Sequence, residues 1–358
     1  MKVAMIARST FYTAPGGDTV QAVQTARHLQ GLGISADICL SSEQIPYEKY
    51  DLLHFFNITR PADILYHSRR SGKPFVVSTI LCNYTEYDKY HRKGASALLR
   101  YLPDDGVEYV KTIARWLMGK DHLSGLSYLW KGQRRSIRQI LKKAAMILPN
   151  SESEYRRLVQ TYRGKPEHTT VPNGVNPELF KYDASVKKDN KLVLCVARIE
   201  GIKNQLTLIK ALNNTAYKLL LIGAHAPNQA AYYMECRAVA AGNISFIDQL
   251  PQHELVKYYQ QAKVHILPSW FETTGLSSVE AGVMGCNIII TDRGDAKEYF
   301  GDDAFYCDPK NVGSILKAVK QASEAPVNEG LRKKILNKYT WQQAALATQK
   351  AYTSILTP

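Results

Sequence analysis

The chain has 358 residues, 45% apolar and 22% charged, with six cysteines and a formal net charge of +14. That length exceeds one ordinary domain and suits two, and the composition is that of a folded soluble protein rather than a disordered chain. No apolar run is long enough to cross a bilayer, and MKVAMIARST is too short and too soon broken by Arg8 to read as a secretory signal.

KVAMIA opens the chain as a buried strand, TAPGGDT turns it, and VQAVQTARHLQGLG has helical spacing. ISADICL, DLLHFFNI and PFVVSTIL read as further strands. Short apolar runs alternating with amphipathic helices predict a parallel sheet covered on both faces. Between about residues 90 and 145 that rhythm stops, and the segment reads as a basic helical insert rich in Trp, Tyr and Leu. AMILPNS resumes the strand pattern, and VPNGVNPELF with the polar run after it reads as a linker. KLVLCVARI, YKLLLIG, NISFID, VHILPS and NIIITD then restart the alternation, which predicts a second doubly wound sheet. The expected domains are 1–172, 173–340 and a terminal helix, 341–358, packing back on the first. Two such domains would turn their strand C-termini to a shared cleft, the edge where open α/β sheets bind ligands.

The cysteines (Cys39, Cys82, Cys195, Cys236, Cys286 and Cys307) form no CxxC pair, which predicts reduced thiols in a cytoplasmic protein and no zinc cluster. Charge is uneven: residues 60–170 hold 21 Lys/Arg against 10 Asp/Glu. An anionic partner on one side is the expectation.

Chemistry concentrates after the strands of the second half. In VARIEGIKN, Arg198 and Lys203 follow a strand, five residues apart. Arg grips phosphate oxygens with parallel donors and Lys adds a point charge, although an arbitrary pair of this kind is more often two solvated surface charges. FETTGLSSVEAGVMG follows the strand VHILPS as loop and then helix. Helix N-termini carry unpaired N–H groups that suit phosphate. Gly275 would admit a close backbone approach, and Thr273 and Thr274 would offer hydroxyls or a cap. Glu272, on the loop, would be free to reach a sugar hydroxyl; Glu280, in the helix, would suit the vicinal diol of a ribose.

Glu272 and Glu280 form an E-x7-E pair, and with it the chain resembles the retaining glycosyltransferases of two-domain GT-B architecture, most like family 4. PSWFETTGLSSVEAGVMGCNIIITDRGDAKEYFGDDAFYCDP is similar to that family's donor domain, VARIEGIKN to its phosphate loop, VPNGVNPELF to its hinge, and APGGDTVQAVQTARHL to its glycine-rich loop and helix. The resemblance is strong over residues 170–310, partial over 1–85, and hardly traceable over 90–145. It implies a GT-B fold of two Rossmann-like domains, and a hexose-type sugar moved with retention from a nucleotide diphosphate sugar to a surface-glycan or lipid-linked acceptor. It assigns Arg198 and Lys203 to a diphosphate clamp, Glu272 to the transferred sugar, and Glu280 to the ribose. Amides near Thr274, Gly275 and Leu276 would hold the distal phosphate, with Gly16 and Gly17 lining the opposite wall. It implies no metal and no cofactor, and no DxD element stands in a suitable loop: Asp292 and Asp295 are spaced differently, and Asp104–Asp105 falls in the divergent region.

Where many relatives carry a cleft histidine, this chain has Ile80–Leu81–Cys82–Asn83. His54, Asn57 and Asn83, with Tyr84 and Glu86, are the candidates for the missing polar contacts to sugar or acceptor, against a structural role for His54. That departure motivates one alternative, a non-catalytic sugar-nucleotide-binding subunit; within the enzyme class the alternative is a GT-B nucleotide-sugar epimerase or a phosphorylase. Finally, residues 111–143 mix Trp116, Tyr128 and Trp130 with Arg134, Arg135, Arg138, Lys142 and Lys143. The pattern suits an anionic membrane surface or a core stripe with a solvated basic face. It does not suit nucleic acid, because no RNP, zinc or helix-turn-helix pattern accompanies the charge.

Overall fold

The computed structural model of the chain describes residues 1–83, 86–88, 102–119, 122–226 and 229–357. By contacts the chain divides into two compact units: Met1–Leu81, Lys93–Asn173 and Trp341–Pro358, and Cys82–Arg92 with Gly174–Thr340.

The first unit is built on five parallel strands, β1 (Lys2–Ala7), β2 (Ser35–Leu40), β3 (Leu52–Phe56), β4 (Phe75–Ser78) and β5 (Met146–Leu148), in the order β2-β1-β3-β4-β5. Every residue of β3 and β4 is buried, as strands covered by helices on both faces must be. The helix Gly17–Gly31 follows β1 and packs against the terminal helix Trp341–Leu356. A carboxylate fastens the turn after β4: buried Glu154 accepts from Thr79 Oγ1 at 2.6 Å, from the Leu81 amide at 2.5 Å and from the Asn150 amide at 2.7 Å. Burying that charge is tolerated because three donors satisfy it.

Of the segment read as an insert, residues 90–101, 120 and 121 lie outside the described residues, as do Tyr84 and Lys89. The rest forms the helices Asp104–Leu117 and Tyr128–Lys143. The second leads into β5, and its Ile137, Ile140 and Leu141 join the core of the sheet. It is therefore the crossover of the α/β fold with a basic outer face, its first turn set off by Gly132 at φ 70°.

The second unit has six parallel strands, β6 (Asp189–Val196), β7 (Lys218–Ile222), β8 (Ile244–Ile247), β9 (Ala262–Leu267), β10 (Asn287–Ile290) and the short β11 (Phe305–Tyr306). Their order, β11-β10-β9-β6-β7-β8, is the Rossmann order, and it reverses direction between β6 and β9. The two ends of the unit meet, the Val175 amide donating to the Tyr339 carbonyl at 2.9 Å.

Candidate active site

The loops after β6 and β9 stand at that reversal point, the crevice where doubly wound sheets take ligands. Lys203 arrives from the β6 loop, Glu272 from the β9 loop. Lys203 Nζ donates to Glu272 Oε1 at 2.6 Å, and Ser269 Oγ donates to the same oxygen at 2.6 Å. Burial disfavours the Lys203 charge, but the facing carboxylate overrides it and moves the pKa up. The loop geometry that delivers Lys203 is held by Asn204, whose backbone is left-handed at φ 60° and whose side-chain amide donates to the carbonyls of Pro268 (3.1 Å) and Pro309 (2.8 Å).

Glu272 is not the free loop residue the sequence suggested. It is buried, and its backbone pairs with the strip 293–295: its amide donates to the Arg293 carbonyl at 3.3 Å and its carbonyl accepts from the Asp295 amide at 2.8 Å. Gly294 makes this approach possible, because a Cβ there would lie 2.2 Å from the Glu272 carbonyl oxygen at φ 87°. Oε2 of Glu272 has no partner among the described residues, so one oxygen is spent on fixing the side chain and one is left.

Gly275, at φ 71°, begins the helix Leu276–Val283. The cap expected from Thr273 or Thr274 does not form: no side chain caps this helix. The buried Thr274 hydroxyl instead donates to Tyr299 Oη at 3.3 Å, and Thr273 is half-buried. The amides at the helix start, Leu276 among them, have no acceptor within the helix, as at any helix N-terminus. Glu280, one turn along, is buried and clamped by two donors, Gln252 Nε2 at 2.6 Å and Tyr259 Oη at 2.9 Å. Burial pushes its carboxyl up to about 7, against the pull of those two hydrogen bonds. Arg198 is 45% exposed and gives one bond, from Nη2 to Glu200 Oε1 at 3.1 Å, leaving most of its donors unspent.

Ser269, Gln252 and Tyr259 escaped the sequence reading. Gln252 and Tyr259 carried a signal, since residues seven apart share one face of the helix Gln252–Gln261. Glu86 is committed to cations, at 2.8 Å from Lys310 Nζ and 3.4 Å from Arg293 Nε. Asn83 is half-buried in the same short segment, which belongs to the second unit.

The remaining candidates belong to the first unit. His54 is a correction: as the central residue of β3 it is 1% exposed, and its ring bonds to Tyr352 Oη at 2.6 Å and Ser78 Oγ at 2.8 Å. Burial lowers its pKa to about 3, so it is a neutral core histidine out of reach of a sugar. Asn57, left-handed at φ 73°, spends its side-chain oxygen on the amide and hydroxyl of Thr59, making a turn. Gly16 caps the helix Gly17–Gly31, its amide donating to Thr19 Oγ1 at 3.1 Å. Among the described residues no group of three His, Cys, Asp or Glu side chains is arranged to hold a metal ion.

Two parallel-sheet Rossmann-like units, the second with a Lys–Glu pair and a glycine-started helix at its reversal point, define a GT-B protein. Residues 178–340, all within the second unit, match the model of the family described as glycosyl transferases group 1. Over its whole length the chain is similar in fold to sucrose-phosphate synthase from Thermosynechococcus elongatus, with a TM-score of 0.78, 16% identity and 99% of both chains covered. HepE of Anabaena, in a complex with UDP and glucose, gives a TM-score of 0.71 at 14% identity, covering 99% of this chain and 100% of that one. In sequence, 206 residues are 27% identical to the N-acetylgalactosamine-N,N'-diacetylbacillosaminyl-diphospho-undecaprenol 4-alpha-N-acetylgalactosaminyltransferase of Campylobacter jejuni, covering 55% of this chain and 54% of that protein. The chain spans about two-fifths to half of the length of the curated relatives it matches, from 39% to 54%.

Proposed function

We propose that the protein is a retaining glycosyltransferase that moves a hexose-type sugar from a nucleotide diphosphate sugar to a surface-glycan or lipid-linked acceptor without a metal ion. In this reading the second unit holds the donor and the first the acceptor. The observation that carries it is the Lys203–Glu272 pair beside the start of the helix Leu276–Val283, with Glu280 fixed one turn along.

Departure of a nucleoside diphosphate develops negative charge on the leaving oxygens. Lys203, with two donors beyond the one given to Glu272, Arg198 and the helix-start amides stabilise that charge without reorganising. The open oxygen of Glu272 accepts from a hydroxyl of the transferred sugar, and Glu280 accepts from the ribose. The bond from the anomeric carbon to phosphate breaks while the acceptor oxygen bonds on the same face, and its proton passes to the leaving phosphate. The UDP and glucose bound by HepE support the donor class, and the diphospho-undecaprenol in the Campylobacter enzyme's name supports a lipid-linked acceptor.

A lipid-linked acceptor implies work at the cytoplasmic face of a membrane. Leu117 (71% exposed) ends one helix and Trp130 (70% exposed) begins the next, beside Lys131, Arg134 and Arg135. Apolar and cationic groups side by side suit an anionic bilayer.

The test is a thermal-shift screen of UDP-, GDP-, ADP- and dTDP-sugars, since a ligand of the native state raises its stability. Transfer assays with the hit then compare wild type, Lys203→Ala and Glu272→Ala, with and without EDTA, and read the product anomer by NMR. Donor binding without turnover on any acceptor would leave a binding subunit, and an epimerised donor would make the protein an epimerase.

A further inference from the structure

The first unit has a second feature with chemistry of its own, at the opposite end of β4 from Thr79. A cavity of about 510 Å³ opens there, lined by Arg69, Lys73, Lys131 and Lys143 and by no acidic residue. Lys131 Nζ donates to Gln139 Oε1 at 3.1 Å, whereas the side chains of Arg69, Lys73 and Lys143 have no hydrogen-bond or ion-pair partner among the described residues. Gly72 sets this up: at φ 61° it ends the helix Pro61–Ser71 in the left-handed conformation, and Lys73 follows at the rim of the cavity.

Cations at this edge have an ordinary structural use, since helices of a parallel sheet end here and their C-termini are negative. The magnitudes decide against that use alone. Two helices end at the cavity, Pro61–Ser71 and Tyr128–Lys143, and each C-terminus is worth about half a negative charge, so about three of the four positive charges remain uncompensated. Like charges around one hollow repel, and a shared anion relieves them. The cavity is also within the size range of small-ligand sites, about 300–1,000 Å³.

A neighbouring cavity of about 700 Å³ serves as the contrast. It is lined by Arg138, Lys142, Arg163 and Lys165, but it also contains Glu167, and Arg138 Nε is spent on the Tyr162 carbonyl at 2.9 Å.

We propose that the Arg69–Lys73–Lys131–Lys143 cavity binds a phosphate monoester or diphosphate group, supplied free or as the headgroup of a lipid. The site is independent of the transfer chemistry, being at the strand edge away from the loops that follow β1 and β3.

Pyrophosphate is the first probe, titrated by calorimetry into the Arg198→Ala/Lys203→Ala chain so that the second unit's own phosphate cations are removed. Lys73→Gln/Lys143→Gln added to that chain is expected to weaken binding about tenfold or more, by loss of two charge-assisted hydrogen bonds. Lys142→Gln/Lys165→Gln is expected to leave it unchanged. The melting temperature of Lys73→Gln/Lys143→Gln without ligand should equal or exceed that of its parent, because repulsion is removed; this separates a lost site from a lost fold. The second probe is co-sedimentation with phosphatidylcholine vesicles containing phosphatidate. Sedimentation that needs Lys73 and Lys143 but survives Trp130→Ala identifies a lipid headgroup, and pyrophosphate binding without it identifies a free phosphate. If neither probe binds in a way that depends on Lys73 and Lys143, the proposal is wrong.

Discussion

Each unit has an arginine just beyond the end of its first strand, and the two are used in opposite ways. Arg8, one residue after β1, is spent on its own loop. Its Nε and Nη2 donate to Asp18 at 2.6 and 3.2 Å, its Nη1 to the carbonyl and hydroxyl of Thr10 at 3.0 and 2.7 Å, and its Nη2 to the Ala14 carbonyl at 2.7 Å. Its side chain is 13% exposed. Arg198, two residues after β6, makes one bond to Glu200 and is 45% exposed. Both are arginines at corresponding places in parallel sheets, so residue type and topology do not separate them. Unspent donors do: Arg8 has none left for an anion, whereas Arg198 and its neighbour Lys203 keep several.

Breaking the open cation is expected to have the larger effect on chemistry. Arg198→Ala and Lys203→Ala should each lower the transfer rate about 100- to 1,000-fold, the scale for removing one preorganised group from a developing oxyanion. Arg198→Ala should change stability by no more than about 0.5 kcal/mol in urea titration, as for surface substitutions in general. Lys203→Ala should also lower the melting temperature, since it leaves Glu272 buried beside Ser269 without its cation.

Breaking the closed cation should reverse the pattern. Arg8→Ala is expected to cost about 2–4 kcal/mol of unfolding free energy, because Asp18 and two loop carbonyls lose a charged donor. The thermal shift produced by nucleotide should survive in that variant. Arg8→Lys should not restore stability, since an ammonium cannot span the fork between Asp18 and the Thr10–Ala14 loop.

The same contrast explains what was legible in the sequence. Local features were: apolar runs became β1 to β10, and the loop–helix reading of FETTGLSSVEAGV became a loop followed by the helix Leu276–Val283. What required the folded chain was not. His54 was a candidate for a sugar or acceptor contact, but its partner Tyr352 lies 298 residues away. Nothing near FETTG announces that Glu272 is fastened to residues 293–295, and the two-residue β11 is too short to show a period. The basic run after Tyr128 left two readings open, a membrane surface and a core stripe with a solvated basic face, and the packing of its Ile137, Ile140 and Leu141 into the core supplies that stripe.

Glu280 extends the comparison to the acids of the second unit. Burial raises its folded pKa to about 7 from 4.5. The sign follows from linkage: the folded state holds this proton more tightly, so the group's contribution to stability is full below about 4.5 and is lost as pH rises through about 7. Nucleotide binding should run the other way, because the ribose needs the ionised acceptor. Affinity should weaken as pH falls through 7, approaching about tenfold per pH unit, and Glu280→Gln should bind weakly at every pH. A binding isotherm series between pH 5.5 and 8.5 on wild type and Glu280→Gln tests this, and a flat wild-type profile would refute it.

The smallest effect belongs to the donors that hold that acid. Gln252→Ala removes one of two hydrogen bonds to the carboxylate without touching the residues expected to meet phosphate. A neighbour that donates to the ionised form lowers its pKa, so losing it should move the midpoint of the affinity profile upward. At pH 8.5, where Glu280 is ionised in either protein, the affinity loss should be no more than about threefold to tenfold, the worth of one bond to a charged group. Tyr259→Phe should shift the midpoint in the same direction, because its hydroxyl donates to the other oxygen at 2.9 Å. Should both variants weaken binding equally at all pH values with an unmoved midpoint, the two side chains shape the pocket and do not tune the acid.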